Sequence, residues 1–357
     1  MLECEYRGRQ ATSIQNELLR VTVLHEGGHI AEIYDKSAAV NPLWTPGWSS
    51  IAPSAFDARH HDLYGRGTDA KLLAGIMGHN VCLDIFGGPS SEEAAAGLTA
   101  HGEGAIAPYE ISMSGEALIC QARLPMAQMQ FERRIELQGS SLRVCEAIDS
   151  SSPCDRPIGW TQHVTLGAPF LEPGTTQFRA SATCSKVFET EFGAGDYLRR
   201  AAEFNWPMAP RADGGLADLT IFNSASKSSA YTAHLMDPEQ EHAFFVAFAP
   251  AQELAFGYVW RQADFPWMGI WEENHSRTHV PWNGRECARG MEFGVSPFPE
   301  SRRSMIDRGR LFEVPTYRWL PAMGRLEAEY WIVSRRTRAI PDSLQWPRKG
   351  DGNLFAL

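Results

Sequence analysis

Three short segments of the sequence each place one titratable side chain among small or apolar neighbours. His101 lies in the segment 97–104, His163 in 159–167 and Glu292 in 290–297. Two imidazoles and one carboxylate form a set that can accept and donate protons near neutral pH. A single His or Glu in such surroundings is usually structural. The three residues therefore carry a function only if the fold brings them together.

A metal-binding pattern is also present at His25-Glu26-Gly27-Gly28-His29, which matches the HExxH arrangement of zinc proteases. That chemistry needs both histidines on one face of a helix. The preceding residues have strand character, and each of the two glycines would cost a helix about 1 kcal/mol. We therefore predict a hairpin turn here and no metal site.

His60-His61-Asp62 is a second possible metal-binding group. Adjacent residues of a strand point to opposite faces, which argues against shared ligation. A metallohydrolase that uses the histidine-rich segments stays open as an alternative function. A nucleotide-binding GxGxxG segment after a strand and a Walker-type phosphate loop are both absent from the sequence.

Tryptophan is abundant, with 11 residues in the chain. Aromatic faces pack against the C–H faces of sugar rings, while nearby polar groups bind the hydroxyls. Trp267 and Trp271 precede a run of acidic and amide residues, and Trp282 is soon followed by Arg285. We expect Trp267, Trp271 and Arg285 to bind substrate. The alternative is a long surface loop with ordinary packing tryptophans.

The elements that must position these residues are mostly strands. Gly27-Gly28 separates two apolar, alternating runs, and Gln138 to Ser141 separates two more, so both pairs are predicted hairpins. Ser90 with Glu92 and Glu93 predicts a short capped helix ending at Gly97, and a second short helix is expected at 194–204. Loops are expected at 41–54 and 205–215. The predicted strands are 18–24, 29–34, 116–124, 131–137, 142–148, 161–167, 178–189, 217–223, 230–236, 242–249, 254–261 and 327–334.

The composition indicates one folded domain. The 357 residues are 43% hydrophobic and 21% charged, which is enough apolar material for a large core. The net charge of -10 argues against a nucleic-acid surface. We expect a single domain over 1–357, with 341–357 a polar C-terminal tail. Many antiparallel strands with few helices predict a large β-sandwich with one open face.

The expected location is the cytoplasm. The first residues lack the pattern of a secretory signal, and no stretch approaches the roughly 20 apolar residues of a membrane span. The seven cysteines are scattered and odd in number, which is typical of free thiols in a reducing compartment.

The order of the segments resembles that of the galactose mutarotase-like aldose 1-epimerases. In that family an early hairpin carries a Gly-Gly turn, matched here by Gly27-Gly28. A first His lies in an HGG-type motif, matched by His101-Gly102-Glu103, where Glu replaces the second Gly. A second His follows a polar pair, matched by Thr161-Gln162-His163. A late Glu precedes a segment ending in Pro, matched by Glu292 and Pro297. The likeness covers roughly 15–335.

This resemblance implies a mostly β supersandwich and an enzyme that interconverts sugar anomers without a cofactor. Glu292 would be the base, His163 the acid, and His101 a hydrogen-bonding group near the ring oxygen. The family's sugar-holding Arg has no clear match, but Lys71, His79 and Asp84 lie in the right region, and His79 and Asp84 are expected to bind substrate. The implied partner is a small carbohydrate, with no nucleic acid or membrane, and the chain is expected to be a monomer or homodimer. A non-catalytic carbohydrate-binding protein of the same fold is the alternative.

Overall fold

The structure is a computed structural model that describes residues 1–347, and it is built mainly from antiparallel strands. The strands are β1 (Leu2–Tyr6), β2 (Arg9–Gln15), β3 (Leu19–Leu24), β4 (Ile30–Asp35), β5 (His79–Asp84), β6 (Tyr109–Ser114), β7 (Ala117–Leu124), β8 (Met129–Gln138), β9 (Ser141–Ser150), β10 (Arg156–Gly167), β11 (Gln177–Ala180), β12 (Ala182–Val187), β13 (Glu203–Asn205), β14 (Met208–Pro210), β15 (Leu216–Asp218), β16 (Ser228–Met236), β17 (His242–Ala249), β18 (Leu254–Arg261), β19 (Trp267–Asn274), β20 (Cys287–Gly294), β21 (Arg310–Leu311), β22 (Val314–Pro315), β23 (Arg318–Leu320) and β24 (Arg325–Arg336).

Helices are few and short in the described part of the chain. The α-helices are α1 (Ala70–Gly75), α2 (Ser91–Ala95) and α3 (Arg302–Arg308), and 3-10 turns occur at Pro53–Ala55, Asp62–Tyr64, Glu103–Ala105 and Pro250–Gln252. The predicted helix near Ser90 is confirmed as α2, where Ser90 and Glu93 form a capping box. Within residues 1–347, no helix has the length and apolar character needed to span a membrane.

Two large sheets face each other. The larger, twelve-stranded sheet runs β1-β2-β3-β4-β5-β10-β20-β19-β16-β12-β13, with β23 also paired to β10. The second runs β11-β17-β18-β24-β9-β8-β7-β6. Buried residues of both sheets, such as Trp160 and Phe293 from one and Phe131 and Tyr258 from the other, form one core between them. The predicted mostly β sandwich is confirmed.

Both predicted hairpins are present. β3 pairs with β4 around Gly27 and Gly28, which both have positive φ, and β8 pairs with β9 around the turn that contains Gly139. Alternation along β8 places every second residue in the core, as the sequence pattern predicts.

Three sequence-based element predictions need correction. The strand expected at 178–189 is split, because β11 joins the smaller sheet and β12 the larger one. The strand expected at 217–223 ends at Asp218. No helix forms at 194–204, because the Asp196 carboxylate accepts from the backbone N–H groups of Phe192 and Gly193 and so folds the chain into a turn.

The predicted tail begins as a packed segment. Leu344 is buried against the outer face of the smaller sheet, and Trp346 stacks on His242 with 4.7 Å between ring centroids. Residues 348–357 lie outside the described residues. All seven cysteines are unpaired.

The central strands of the larger sheet are buried on both faces. One face packs on the core between the sheets, and loops cover the other. Consequently, every residue of β5 and β19 is buried. The residues of β10 and β20 are buried as well, except for one or two partly buried residues at the start of each strand. Side chains on the outer face of these strands form the floor of a cavity beneath the loops.

Candidate active site

A cavity of about 430 Å³ lies above β10, β19 and β20. Its floor comes from these strands and its walls from α1 and the surrounding loops. The residues that line it are Gly67, Thr68, Asp69, Leu72, Leu73, Ile76, Phe86, Gly87, Gly88, Ala100, His101, His163, Phe192, Tyr231, Trp271, Arg277, Trp282, Glu292 and Pro299. All three residues expected to carry out the chemistry lie in this set.

His163 and Glu292 form a direct pair on the floor. They lie on the adjacent strands β10 and β20, and His163 Nε2 is 2.9 Å from Glu292 Oε1. The side chains are 7% and 3% exposed, so the pair is shielded from bulk water but open to the cavity. With His163 protonated, the contact is an ion pair in which one group can donate and the other accept a proton.

Asn80 and Thr165 contact the other nitrogen of the His163 ring. Nδ1 lies 3.4 Å from Asn80 Nδ2 and 3.2 Å from Thr165 Oγ1. An amide nitrogen only donates, so in this arrangement Nδ1 is the acceptor. Asn80 Oδ1 is buried without a partner in the described chain. Rotating the amide by half a turn would let Oδ1 accept a proton from Nδ1–H, so Asn80 suits both protonation states of the ring.

Two glycines make room for the Glu292 carboxylate and for the Tyr231 hydroxyl near it. A Cβ atom at Gly290 would lie 2.5 Å from Glu292 Oε1, and one at Gly269 would lie 2.0 Å from the Tyr231 hydroxyl oxygen. Gly269 is the cross-strand partner of Glu292. Burial, followed by the nearby Glu292 charge, raises the pKa of Tyr231 well above its usual value, so this phenol stays protonated beside the carboxylate.

His101 enters the cavity from the loop after α2. Its ring centroid is 4.5 Å from that of His163. His101 and Gly102 both have positive φ, and a Cβ atom at Gly102 would lie 2.3 Å from the Leu83 carbonyl oxygen, so the turn requires glycine there. Burial, with a further contribution from His163, lowers the pKa of His101 well below its usual value, so its imidazole is neutral. Its Nδ1 atom is buried and has no partner within residues 1–347.

Aromatic rings form one wall. Trp282 packs edge-on against Trp271 at 5.8 Å and is stacked on Trp44 at 5.7 Å. The Arg277 guanidinium carbon lies 4.7 Å from the Trp282 ring centroid and 5.2 Å from that of Trp271. This wall offers flat apolar surface with a cation at its edge, which suits a ring that carries polar substituents.

Of the five residues expected to bind substrate, the structure brings only Trp271 into the cavity. Trp267 is fully buried, and its indole N–H donates to the Pro315 carbonyl oxygen at 2.9 Å. Arg285 is exposed and lines a separate surface groove beside His275. Neither side chain lines the cavity, and both expectations are corrected.

His79 and Asp84 are also placed elsewhere. His79 faces the core between the sheets, where it is fully buried and contacts Gln162 at 3.0 Å. The Asp84 carboxylate is held by two ion pairs, one with Arg156 and one with Arg302 at 2.5 Å. These contacts occupy both oxygens of Asp84, and neither His79 nor Asp84 lines the cavity.

Sequence reasoning missed Arg277, Asp69 and Tyr231 as cavity residues. Arg277 follows the tryptophan-rich segment that drew attention to this region, only six residues beyond Trp271. Asp69 lies immediately before α1, the helix that contains Lys71. Their exposure to one cavity depends on long-range loop packing, and nothing in their local sequence signals it.

The two histidines of the HExxH pattern have separate structural partners. His25 contacts Thr12 Oγ1 at 2.8 Å, while His29 donates from Nε2 to the Ala105 carbonyl oxygen at 2.9 Å and accepts from Met77 N–H at Nδ1. His29 thereby anchors the loop that carries His101. His61 accepts from the Asp57 backbone N–H. Across residues 1–347, no group of three or more His, Cys, Asp or Glu side chains is arranged to hold a metal ion.

Solved structures of other proteins share this architecture. A provisionally named aldose 1-epimerase from Klebsiella pneumoniae aligns with a TM-score of 0.66 at 12% identity, over 93% of this chain and 80% of its own. The chain has a galactose mutarotase-like fold. A galactose mutarotase related enzyme from Lactobacillus acidophilus aligns at 0.57 and 13% identity, over 92% of this chain and 98% of its own.

A third structure extends the likeness. A galactose mutarotase-like protein from Clostridium acetobutylicum aligns with a TM-score of 0.59 at 11% identity, over 94% of this chain and 98% of its own. No family model and no curated protein matches the sequence. At these identities the likeness establishes the fold, and the argument for an activity rests on the cavity.

Proposed function

We propose that this protein interconverts the anomers of a sugar by acid–base opening and closing of its ring. The observation that carries the proposal is the 2.9 Å contact between His163 Nε2 and Glu292 Oε1 on the floor of an aromatic-walled cavity. A cyclic hemiacetal has two oxygens on one carbon, and mutarotation moves a proton off one and onto the other. A donor and an acceptor side by side match that geometry.

In the proposed reaction, Glu292 takes the proton from the anomeric hydroxyl while protonated His163 donates from Nε2 to the ring oxygen. The electron pair of the O–H bond becomes the second bond of the carbonyl, and the pair of the C1–O bond goes to the ring oxygen. The ion pair thereby becomes a neutral pair. Rotation about the C1–C2 bond presents the other face of the aldehyde, and the reverse proton transfers close the ring.

The neighbouring residues support these two steps. Asn80 can hold the His163 ring in either protonation state, and neutral His101 can exchange a hydrogen bond with a sugar oxygen. Trp271 and Trp282 provide the flat surface on which the ring rests. Each positioned proton donor or acceptor contributes about 10²–10⁴-fold in rate.

Anomer exchange measured by NMR across a panel of monosaccharides tests the proposal. Wild type is expected to accelerate exchange of at least one sugar, and Glu292→Gln is expected to abolish the gain because an amide cannot take the proton. Glu110→Gln is the matched control, since Glu110 is exposed on the other sheet. Sugar binding without any acceleration would instead favour a carbohydrate-binding protein.

A further inference from the structure

Arg277 is held among aromatic rings at the edge of the cavity. Its guanidinium carbon lies 4.7 Å from the ring centroid of Trp282, 5.2 Å from that of Trp271 and 5.5 Å from that of Phe192. The side chain is 21% exposed. Stacking of this kind fixes the plane of a guanidinium while its N–H edges remain available to a ligand.

The N–H groups of this guanidinium lack a hydrogen-bond acceptor in the described chain. The one carboxylate within 4.0 Å in residues 1–347 is that of Glu273, 3.6 Å from Nε. The Glu273 oxygens already accept from Ser276 N–H and Oγ–H and from Arg277 backbone N–H. Asp196 contributes charge nearby, but its oxygens accept from two backbone N–H groups and from Ser229.

A second donor without a partner lies beside the first. The Trp271 indole Nε1 is buried and has no hydrogen-bond partner among residues 1–347. A buried donor that has lost its hydrogen bonds to water and gained no other acceptor is unfavourable. The Trp271 ring centroid lies 5.2 Å from the guanidinium carbon and 6.3 Å from the His163 imidazole centroid. Arg277 and Trp271 therefore line the same cavity as His163 and Glu292, and each carries a donor that has no acceptor in the described chain.

We propose that the sugar taken by this cavity is a uronic acid, with its carboxylate bound by Arg277 and Trp271 Nε1 while its anomeric centre meets Glu292 and His163. This inference rests on the proposed function. The two oxygens of a carboxylate match the fork of a guanidinium and leave a lone pair for the indole N–H.

The charge of the cavity favours a monoanion over a phosphorylated sugar. In the described chain Arg277 is the one Lys or Arg side chain that lines it, and the carboxylates of Asp69 and Glu292 line it as well. A carboxylate can pair with the N–H edges of Arg277, whereas the second negative charge of a phosphate group would face the carboxylates of Asp69 and Glu292, and no other Lys or Arg of the described chain lines the cavity to offset it.

The experiment compares anomer exchange and binding for glucuronate and galacturonate with glucose, galactose and their 6-phosphates. The variants are Arg277→Met, Arg277→Lys and Trp271→Phe, with Arg285→Met as the matched control outside the cavity. Wild type is expected to favour a uronate over its neutral counterpart in kcat/KM by about 10- to 100-fold, the range expected for charge-assisted hydrogen bonds. Arg277→Met is expected to remove that ratio, Arg277→Lys and Trp271→Phe to reduce it, and Arg285→Met to retain it.

Each outcome decides the inference. Equal or faster exchange of neutral sugars would overturn it and leave the proposed function standing, and a preference for 6-phosphates would overturn the choice of a carboxylate. If no sugar is exchanged, calorimetric binding decides: uronate binding that Arg277→Met abolishes supports the inference while the proposed function fails. No uronate binding overturns the inference. Thermal unfolding of each variant checks that the cavity is intact.

Discussion

The ring of His101 lies 4.5 Å from the ring of His163, yet only His163 contacts a carboxylate. We therefore expect the two imidazoles to have different roles. His101 stays neutral, because burial and the neighbouring ring lower its pKa well below its usual value. His163 lies 2.9 Å from Glu292. In the proposed reaction, this asymmetry separates the proton donor His163 from the hydrogen-bonding group His101 within one cavity.

Asn80 is predicted to set the pH range in which His163 is active. Asn80→Leu removes the amide N–H that donates to Nδ1 and favours the neutral ring, so the falling limb of kcat should move to higher pH, with kcat reduced by about tenfold. Asn80→Asp adds an acceptor that favours imidazolium, so the limb should move to higher pH by about 1–3 units. The measurement is the pH profile of kcat for the three proteins. If both variants change thermal stability but leave the profile in place, Asn80 is only structural.

Gly290→Ala is predicted to slow anomer exchange without removing any functional group. The added Cβ would lie 2.5 Å from Glu292 Oε1 and push the carboxylate away from His163. A displacement of about 1 Å at a reacting group can cost about 100-fold, so kcat should fall about 10- to 100-fold. Steady-state kinetics with a parallel urea melt separates this effect from unfolding. Unchanged kcat would show that the carboxylate has freedom to move.

Acid is predicted to destabilise the fold through its buried histidines. Burial lowers the pKa of His29 and of His234 to about 3, and lowers those of His79 and His101 well below the usual value. The unfolded chain takes up protons below about pH 6.5 while the folded chain does not, so stability is complete above that pH and falls on acidification. Between the pKa of the unfolded chain and that of the folded chain, each such histidine lowers the free energy of unfolding by about 1.4 kcal/mol for every pH unit of acidification.

His234→Gln tests this effect away from the cavity, because His234 is bonded to Thr232 and Ser185. Urea unfolding at pH 7, 6 and 5 should show a shallower loss for the variant, by about 1.4 kcal/mol per unit. If the free energy of unfolding falls equally with pH in the two proteins, His234 takes up its proton in the folded chain as readily as in the unfolded chain.

The sequence predicted the sheets, and the three residues expected to react that share the cavity, better than it predicted the residues around them. Alternating apolar patterns identify β3, β4, β8 and β9 because each strand has one face in the core. β5 is buried on both faces, so its pattern does not show which residues face the cavity. The family resemblance indicated His79 only by its region of the chain, whereas the register places Asn80 opposite His163.

The remaining differences come from contacts between distant segments. Asp84 forms ion pairs with Arg156 and Arg302, which lie far from it in the sequence. Only the fold brings these three side chains together. Arg277 lies close to Trp271 and Trp282 in the sequence, but the spacing does not show that these two rings and the distant Phe192 pack against its guanidinium. Local patterns do not encode such pairings.

The most direct test of the central claim is a double-mutant cycle on the rate of anomer exchange, with His163→Asn, Glu292→Gln and the double variant. If the two residues form one proton-transfer unit, each single change should remove nearly all of the acceleration, and the double variant should be no slower than either. Independent, multiplying losses, or substantial activity in either single variant, would contradict the account.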